Sequence, residues 1–182
     1  MKIGLVGEAP NDTQSIQNIL IKKFSEFNYV FMLDRINGSN LDSQKTKRFL
    51  RIEYESKKPD IVIFIRDLDA LIEDKAQILK RKTYFSDFNS VVDKKGIFLL
   101  HIYEIEALIL ADTEVFNDVY NVKLPFVENP MNVNEPKEFL KRFSSNYNES
   151  HNADIFSKLS FDKLIDVKSF GEFIYKFSKL VS

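Results

Sequence analysis

The run Asp60-Ile61-Val62-Ile63-Phe64-Ile65 constrains this chain more than any other stretch. After its first residue it is unbroken, apolar and rich in β-branched side chains, which are stiff at χ1 and suit a pleated backbone. A strand with one wet face alternates apolar and polar residues; a strand without alternation is covered on both faces. Covered strands belong to parallel sheets with helices on each side.

Other segments fit the same sheet. Residues 2–6 form a short apolar run that ends at Gly7-Glu8-Ala9-Pro10, residues 29–33 read as a second strand, and residues 97–102 (IFLLHI) as a fourth. Ile16, Ile19, Leu20, Phe24 and Phe27 follow helical spacing after the first strand, with Lys23 the polar exception and Asn11 or Asp12 as the cap. Residues 37–40 read as a loop, 41–56 as a polar, Lys-rich helix, 70–92 as helical or irregular, and 103–111 as a short apolar helix. Strands alternating with helices predict an α/β fold with a mostly parallel sheet of about four strands.

The texture changes after Asp112. Residues 126–135 are rich in Asn and Pro, Pro136 suits the first turn of a helix, and residues 146–152 read as a polar, mobile loop. Residues 155–181 carry Phe, Leu and Ile at helical intervals and predict one or two helices packed on the sheet. The expected organisation is an α/β domain over 1–112 and a helical C-terminal extension over 113–182, packed on the same domain. A length of 182 residues agrees with one such unit.

Composition excludes several classes. There is no cysteine, hence no disulfide framework, thiol nucleophile or thiolate zinc site. Lys and Arg number 26 against 27 Asp and Glu, which excludes a histone-like polycation but leaves room for a local basic face. No run approaches the ~18 apolar residues that a membrane span needs, and the N-terminus lacks the pattern of a signal peptide. The expectation is a cytoplasmic protein with no membrane partner.

The acids are informative through their placement. Ligands of parallel α/β sheets bind outside the carboxyl ends of the strands. Glu8 follows the first predicted strand, Asp67 and Asp69 the third, Glu104 and Glu106 the fourth. An Asp-x-Asp spacing in extended backbone can turn both carboxylates the same way. Crowded carboxylates raise one another's pKa unless a cation sits among them, and clusters with oxygen donors alone suit Mg²⁺ or Mn²⁺. Each acid also has a plainer reading as a solvated loop residue or a helix cap.

This arrangement resembles the TOPRIM fold of topoisomerases, bacterial primases, recombination mediators and OLD-family nucleases. It is most similar to small TOPRIM-like proteins encoded beside ATPases in bacterial defence loci, whose motifs read Glu-Gly-x-Thr-Glu and Glu-Ile-Glu-Ala-Trp-x-Leu-Ala-Asp. Here the first reads Glu8-Ala9-Pro10-Asn11-Asp12 and the second Glu104-Ile105-Glu106-Ala107-Leu108-Ile109-Leu110-Ala111-Asp112. Ala9, Asp12 and Leu108 depart from the pattern. A weaker likeness continues through Glu135-Pro136-Lys137 and Ser169-Phe170-Gly171-Glu172-Phe173. The resemblance implies Mg²⁺- or Mn²⁺-dependent phosphodiester chemistry on DNA or RNA, most simply a nuclease in phage defence. Asp67, Asp69 and Glu8 would be catalytic and, with Glu104 or Glu106, would hold the metal. The rival expectation is a non-catalytic binding or regulatory subunit of an ATPase partner, its acids serving as caps.

Nucleic acid would meet the basic run Lys45, Lys47, Arg48 and Arg51, with Lys80-Arg81-Lys82 and the aromatics Tyr84 and Phe85 nearby. Arg66, beside the Asp-x-Asp, is the candidate for a substrate phosphate, or else neutralises the acids. Of the two histidines, His101 inside a strand reads as a core residue and His151 as a surface one. No Gly-rich phosphate loop is present, so ATP hydrolysis would fall to a partner.

Overall fold

The structure is a computed structural model in which residues 1–34, 36 and 40–182 are described. The Asn37-Gly38-Ser39 part of the expected loop lies outside the described residues. Strands β1 (Lys2–Val6), β2 (Asn28–Met32), β3 (Ile61–Asp67) and β4 (Gly96–His101) form one sheet in the order β2-β1-β3-β4, with every pairing parallel. The crossovers are α1 (Pro10–Leu20), α2 (Gln44–Lys57) and α3 (Lys75–Val91). This is the α/β architecture that the alternation of strands and helices predicts.

β3 lies between β1 and β4 and is buried from Ile61 to Arg66, which is why its sequence does not alternate. Ile61, Ile63 and Ile65 join Ile3, Leu5, Ile97 and Leu99 in a core on one face of the sheet. Val62 and Phe64 join Leu50, Tyr54, Tyr84 and Phe88 in a second core, built with α2 and α3. Burying one such side chain contributes about 1.5–3 kcal/mol, so both faces hold the strand in register. Tyr84 is buried and Phe85 stacks on Phe98 with ring centroids 4.9 Å apart. These two rings are core components, not the nucleic-acid stacking groups expected from their neighbourhood.

After β4 the chain forms a 3₁₀ segment, Ile105–Asp112, then α4 (Thr113–Tyr120), α5 (Pro136–Phe143), α6 (Asn152–Lys158), α7 (Phe161–Ile165) and α8 (Lys168–Val181). The stretch 103–111 is thus a tight 3₁₀ helix, displaced by one or two residues from its expected bounds. The tail divides into three helices instead of one or two. α6 packs on α1 and α8 packs on β4, so the breaks around Ser160 and Val167 let one segment reach two neighbours within the same core. Asp112 fixes the first break: its buried carboxylate accepts the Ser160 N–H at 2.9 Å and the Lys163 ammonium at 2.7 Å. Phe116, Leu140, Phe156, Phe170 and Phe177 belong to the same core as Ile3 and Ile63. No helix among the described residues is long and apolar enough to cross a membrane.

Gly171 marks the second break. A Cβ there would strike the backbone carbonyl oxygen of Ile165, which no rotamer change can move. Ala normally stabilises a helix relative to Gly by up to ~1 kcal/mol. Gly171→Ala is nevertheless expected to destabilise by about 1–3 kcal/mol, the usual cost of overpacking, measured by urea unfolding. An unchanged midpoint would show that α7 yields freely and that the α7–α8 contact is soft.

Candidate functional site

The acids gather where β1, β3 and β4 end. Gly7 closes the turn after β1: a Cβ at this position would come 2.8 Å from Thr13 Cγ2. The tight turn places Pro10 in the first turn of α1, where a missing N–H costs nothing, with Ala9 as the N-cap. Asp12 therefore caps from inside the helix, its Oδ2 accepting the Ala9 N–H at 3.1 Å, and points back toward the strand ends. Glu8 reaches β3, its Oε1 accepting the Asp67 N–H at 3.3 Å. Asp67 is the last residue of β3, opposite His101 of β4.

Glu106 enters from the 3₁₀ segment and is only 4% exposed. Asn152 Nδ2 donates to its Oε1 at 2.9 Å, and the Tyr147 hydroxyl stands 3.3 Å from the same oxygen and 2.9 Å from Asn152 Oδ1. Both partners are buried. The stretch 146–152, expected as a mobile polar loop, is exposed over most of its length but sends in two buried side chains, Tyr147 and Asn152, that frame a carboxylate. Asn152 opens α6, which explains why so polar a segment is ordered.

The electrostatics follow from this crowding. Burial above all, then Asp12, Glu106, Glu8 and Asp69, hold the Asp67 carboxyl well above the usual carboxylate range. Asp12 is pushed up to about 7, first by burial and then by Glu106 and Glu8, against the single hydrogen bond from Ala9. Glu106 is also raised by burial, with the Asn152 hydrogen bond opposing. Burial and crowding thus shift three acids of the cleft upward, Asp67 and Asp12 the most clearly.

Arg66 supplies the local counter-charge. Its side chain is 3% exposed, Nε lies 2.7 Å from Glu8 Oε1 and Nη1 donates to Asp42 Oδ1 at 3.0 Å, over the Tyr84 ring. The Nε–H is poorly aligned with Glu8, so that contact is ionic in character and not a good hydrogen bond. Of the two expectations for Arg66, neutralising the acids is what this geometry presents; its guanidinium does not face solvent.

The structure brings Glu8, Asp67 and Glu106 together and sets Asp69 and Glu104 to either side. Asp69 has a left-handed φ of 58°, which turns it out of line with Asp67, and its carboxylate bonds the buried Arg81 of α3. Glu104 Oε2 accepts the Lys137 N–H at 3.1 Å at the start of α5. Asp12 is the acid not proposed from the sequence; its signal was its alignment with the second acid of the Glu-Gly-x-Thr-Glu motif. Asp112, the last residue of the second motif, braces α7 instead.

His101 is buried and pushed down to about 3, so it is neutral, and its Nε2 has no partner among the described residues. His151 is exposed, with Nδ1 2.8 Å from the Tyr120 hydroxyl.

The donor set suits a hard divalent cation: carboxylate oxygens alone, several of them already desolvated. As they stand, no three acid or histidine side chains among the described residues are spaced to hold one ion. Fold and site together define a parallel α/β protein with a buried acidic cleft at the carboxyl edge of its sheet. No family model, curated protein or solved structure matches this chain.

Proposed function

We propose that this chain carries out Mg²⁺- or Mn²⁺-dependent phosphodiester chemistry on a nucleic acid, as a nuclease of TOPRIM type. One observation carries the reading: Glu8 and Asp12 from the turn after β1, Asp67 from the end of β3 and Glu106 from the 3₁₀ segment come from three separate stretches of chain and crowd at the ligand-binding edge of the sheet. Folding such a cluster is unfavourable without a function to hold it. Asp67 and Glu106 are the residues that would hold the ion, with Glu8 beside them. A bound ion supplies charge stabilisation for the phosphate and a more acidic water. Asn152 and Tyr147 keep Glu106 in place and shield it from bulk water. Asp12, balanced near neutrality, is suited to take the proton of an attacking water at physiological pH. Asp69 and Arg81 form the rim on the α3 side, and a role in phage defence rests on the family likeness alone.

The ion pairs Arg66–Glu8 and Arg81–Asp69 favour a second reading, in which these acids are satisfied structurally and the chain serves an ATPase partner without catalysis. Incubation with end-labelled single- and double-stranded DNA and RNA, with Mg²⁺, Mn²⁺ or chelator, separates the two. Metal-dependent cleavage by the wild type that Asp67→Asn lacks supports the nuclease. Cleavage of equal strength in the variant, or none on any substrate, leaves the non-catalytic reading.

The basic face of α2 is divided by its ion pairs. Lys47 is bound to Asp87 at 2.6 Å, and Arg51 to Glu55 and Asp93 at 2.7 Å each. Lys45 and Arg48 are exposed and have no acidic partner among the described residues. Replacing Lys45 and Arg48 together by Ala is expected to weaken duplex binding and to flatten the salt slope by roughly 0.9 per charge removed. The Lys47 and Arg51 pair should matter less. Equal slopes for wild type and the Lys45/Arg48 variant, read by fluorescence anisotropy, would show that this face does not touch phosphates.

A further inference from the structure

The sheet has two edges, and the chain treats them differently. On β2 the Asn28 N–H bonds Met1 in the β1 direction, so the backbone groups of Tyr29, Phe31 and Leu33 face outward. α2 closes that edge: Lys57 Nζ donates to the Phe31 carbonyl at 2.6 Å, and the Leu33 N–H donates to Glu53 Oε2 at 3.3 Å. On β4 the Lys95 and His101 carbonyls accept from Val62 and Leu68 on the β3 side. The N–H and C=O groups of Phe98 and Leu100 therefore face away from the sheet. No side chain or backbone group among the described residues hydrogen-bonds to them.

Exposed edges are usually blunted by charges, Pro or a bulge on the strand itself, because a bare edge templates pairing with another chain. The β4 sequence Gly-Ile-Phe-Leu-Leu-His has none of these. Its edge opens into a groove of about 440 Å³ between α3 and α8. Ile72, Ile78, Met131 and Phe173 supply apolar walls. Lys82, Lys168 and Lys176 stand on the rim, all exposed, and none has an ion-pair partner among the described residues. Glu172 is the single acid among the described residues that line the groove.

We propose that the β4 edge is a docking site for an extended, acidic segment of a partner polypeptide, which adds a fifth strand to the sheet. Main-chain hydrogen bonds to Phe98 and Leu100 would give the pairing, alternate apolar side chains would enter the groove, and acidic ones would meet the three lysines. A second copy of this chain is a poor occupant. A two-fold pairing of β4 with β4 would bring two sets of rim lysines toward one another, and like charges facing across an interface oppose association. The proposal does not depend on the acidic cleft.

The test uses the full chain and a blocked octapeptide of alternating Glu and Val, with the corresponding Lys-Val peptide as control. Amide hydrogen exchange is read by NMR. In the free protein the Phe98 and Leu100 amides should exchange well ahead of Ile97 and Leu99, which point toward β3. The Glu-Val peptide at about 1 mM, enough to register even weak binding, should slow Phe98 and Leu100 by tenfold or more. The Lys-Val peptide should not. The triple variant Lys82→Glu, Lys168→Glu, Lys176→Glu should reverse the preference between the two peptides. Three results would overturn the proposal: no protection at Phe98 and Leu100 by the Glu-Val peptide, equal protection by both peptides, or protection without peptide that rises with protein concentration. The last would assign the edge to a second copy.

Discussion

Asp67→Asn is expected to reduce metal-dependent cleavage by ~100-fold or more while leaving the metal-free protein at least as stable as the wild type. The two effects have one cause. Asp67 ends the central strand β3 among Asp12, Glu106, Glu8 and Asp69, whose charges oppose its ionisation, and burial opposes it further. The amide removes that repulsion and keeps a similar shape, so nothing in the fold is lost. It also removes a carboxylate from the ion's donor set, which weakens a site that has few groups to spare. A residue held for structure behaves oppositely, since neutralising one partner of a buried pair typically costs ~3–5 kcal/mol. Thermal melts in chelator and in Mn²⁺, together with cleavage rates, read both sides. Marked destabilisation in chelator with no metal effect in the wild type would support the non-catalytic subunit.

Asp12→Asn is expected to change stability with a distinctive pH dependence. The carboxyl is pushed up to about 7 in the folded protein, from an ordinary value near 3.8. Folding therefore favours its protonated form. That contribution is fully present below about pH 4 and is lost as pH rises through 7, at ~1.4 kcal/mol per unit of difference. The amide does not titrate, and its oxygen can still accept the Ala9 N–H. Metal-free Asp12→Asn should thus be more stable than the wild type by a few kcal/mol at pH 8, and indistinguishable from it at pH 4. Because Asp12 and Asp67 repel each other, the double variant should gain less than the sum of the two. Equal melting curves at pH 8 would show that Asp12 is ionised at little cost and that the cleft is wetter than its burial implies.

The parts of this site that rest on strand ends were legible in the sequence. The unbroken run ending in Ile65 located β3, and Glu8, Asp67 and the pair Glu104 and Glu106 followed from the rule that parallel strands present ligands at their carboxyl edge, without a choice between the last two. What was not legible depends on backbone turns and long-range packing. Asp69 shares a two-residue spacing with Asp67, but a left-handed backbone sends its carboxylate to Arg81, and no local signal announces that conformation in an Asp. Asp12 read as one of two possible caps; only Pro10 in the first turn of α1 fixes it as the one that faces the cleft. Tyr147 and Asn152 sit in a stretch whose Asn, Ser, Glu and His look like solvent-exposed loop. Their burial comes from α6 packing on α1, a contact across more than a hundred residues. Arg66 read equally as a phosphate ligand or a counter-charge, and its burial against Glu8 and Asp42 is a long-range contact that no local pattern announces.

The central claim is that Asp67 and Glu106, with Glu8 beside them, take up a divalent cation next to Asp12. Titration calorimetry with Mn²⁺ near pH 6.5, in two buffers of different ionisation enthalpy, tests it most directly. Burial and crowding favour the protonated forms of Asp12, Asp67 and Glu106, and a bound ion favours their ionised forms, so protons are displaced as the ion enters. The predicted result is binding whose heat differs between the buffers, reporting net proton release, and its loss in Asp67→Asn. No binding at millimolar Mn²⁺, or binding that Asp67→Asn leaves intact, would contradict the account.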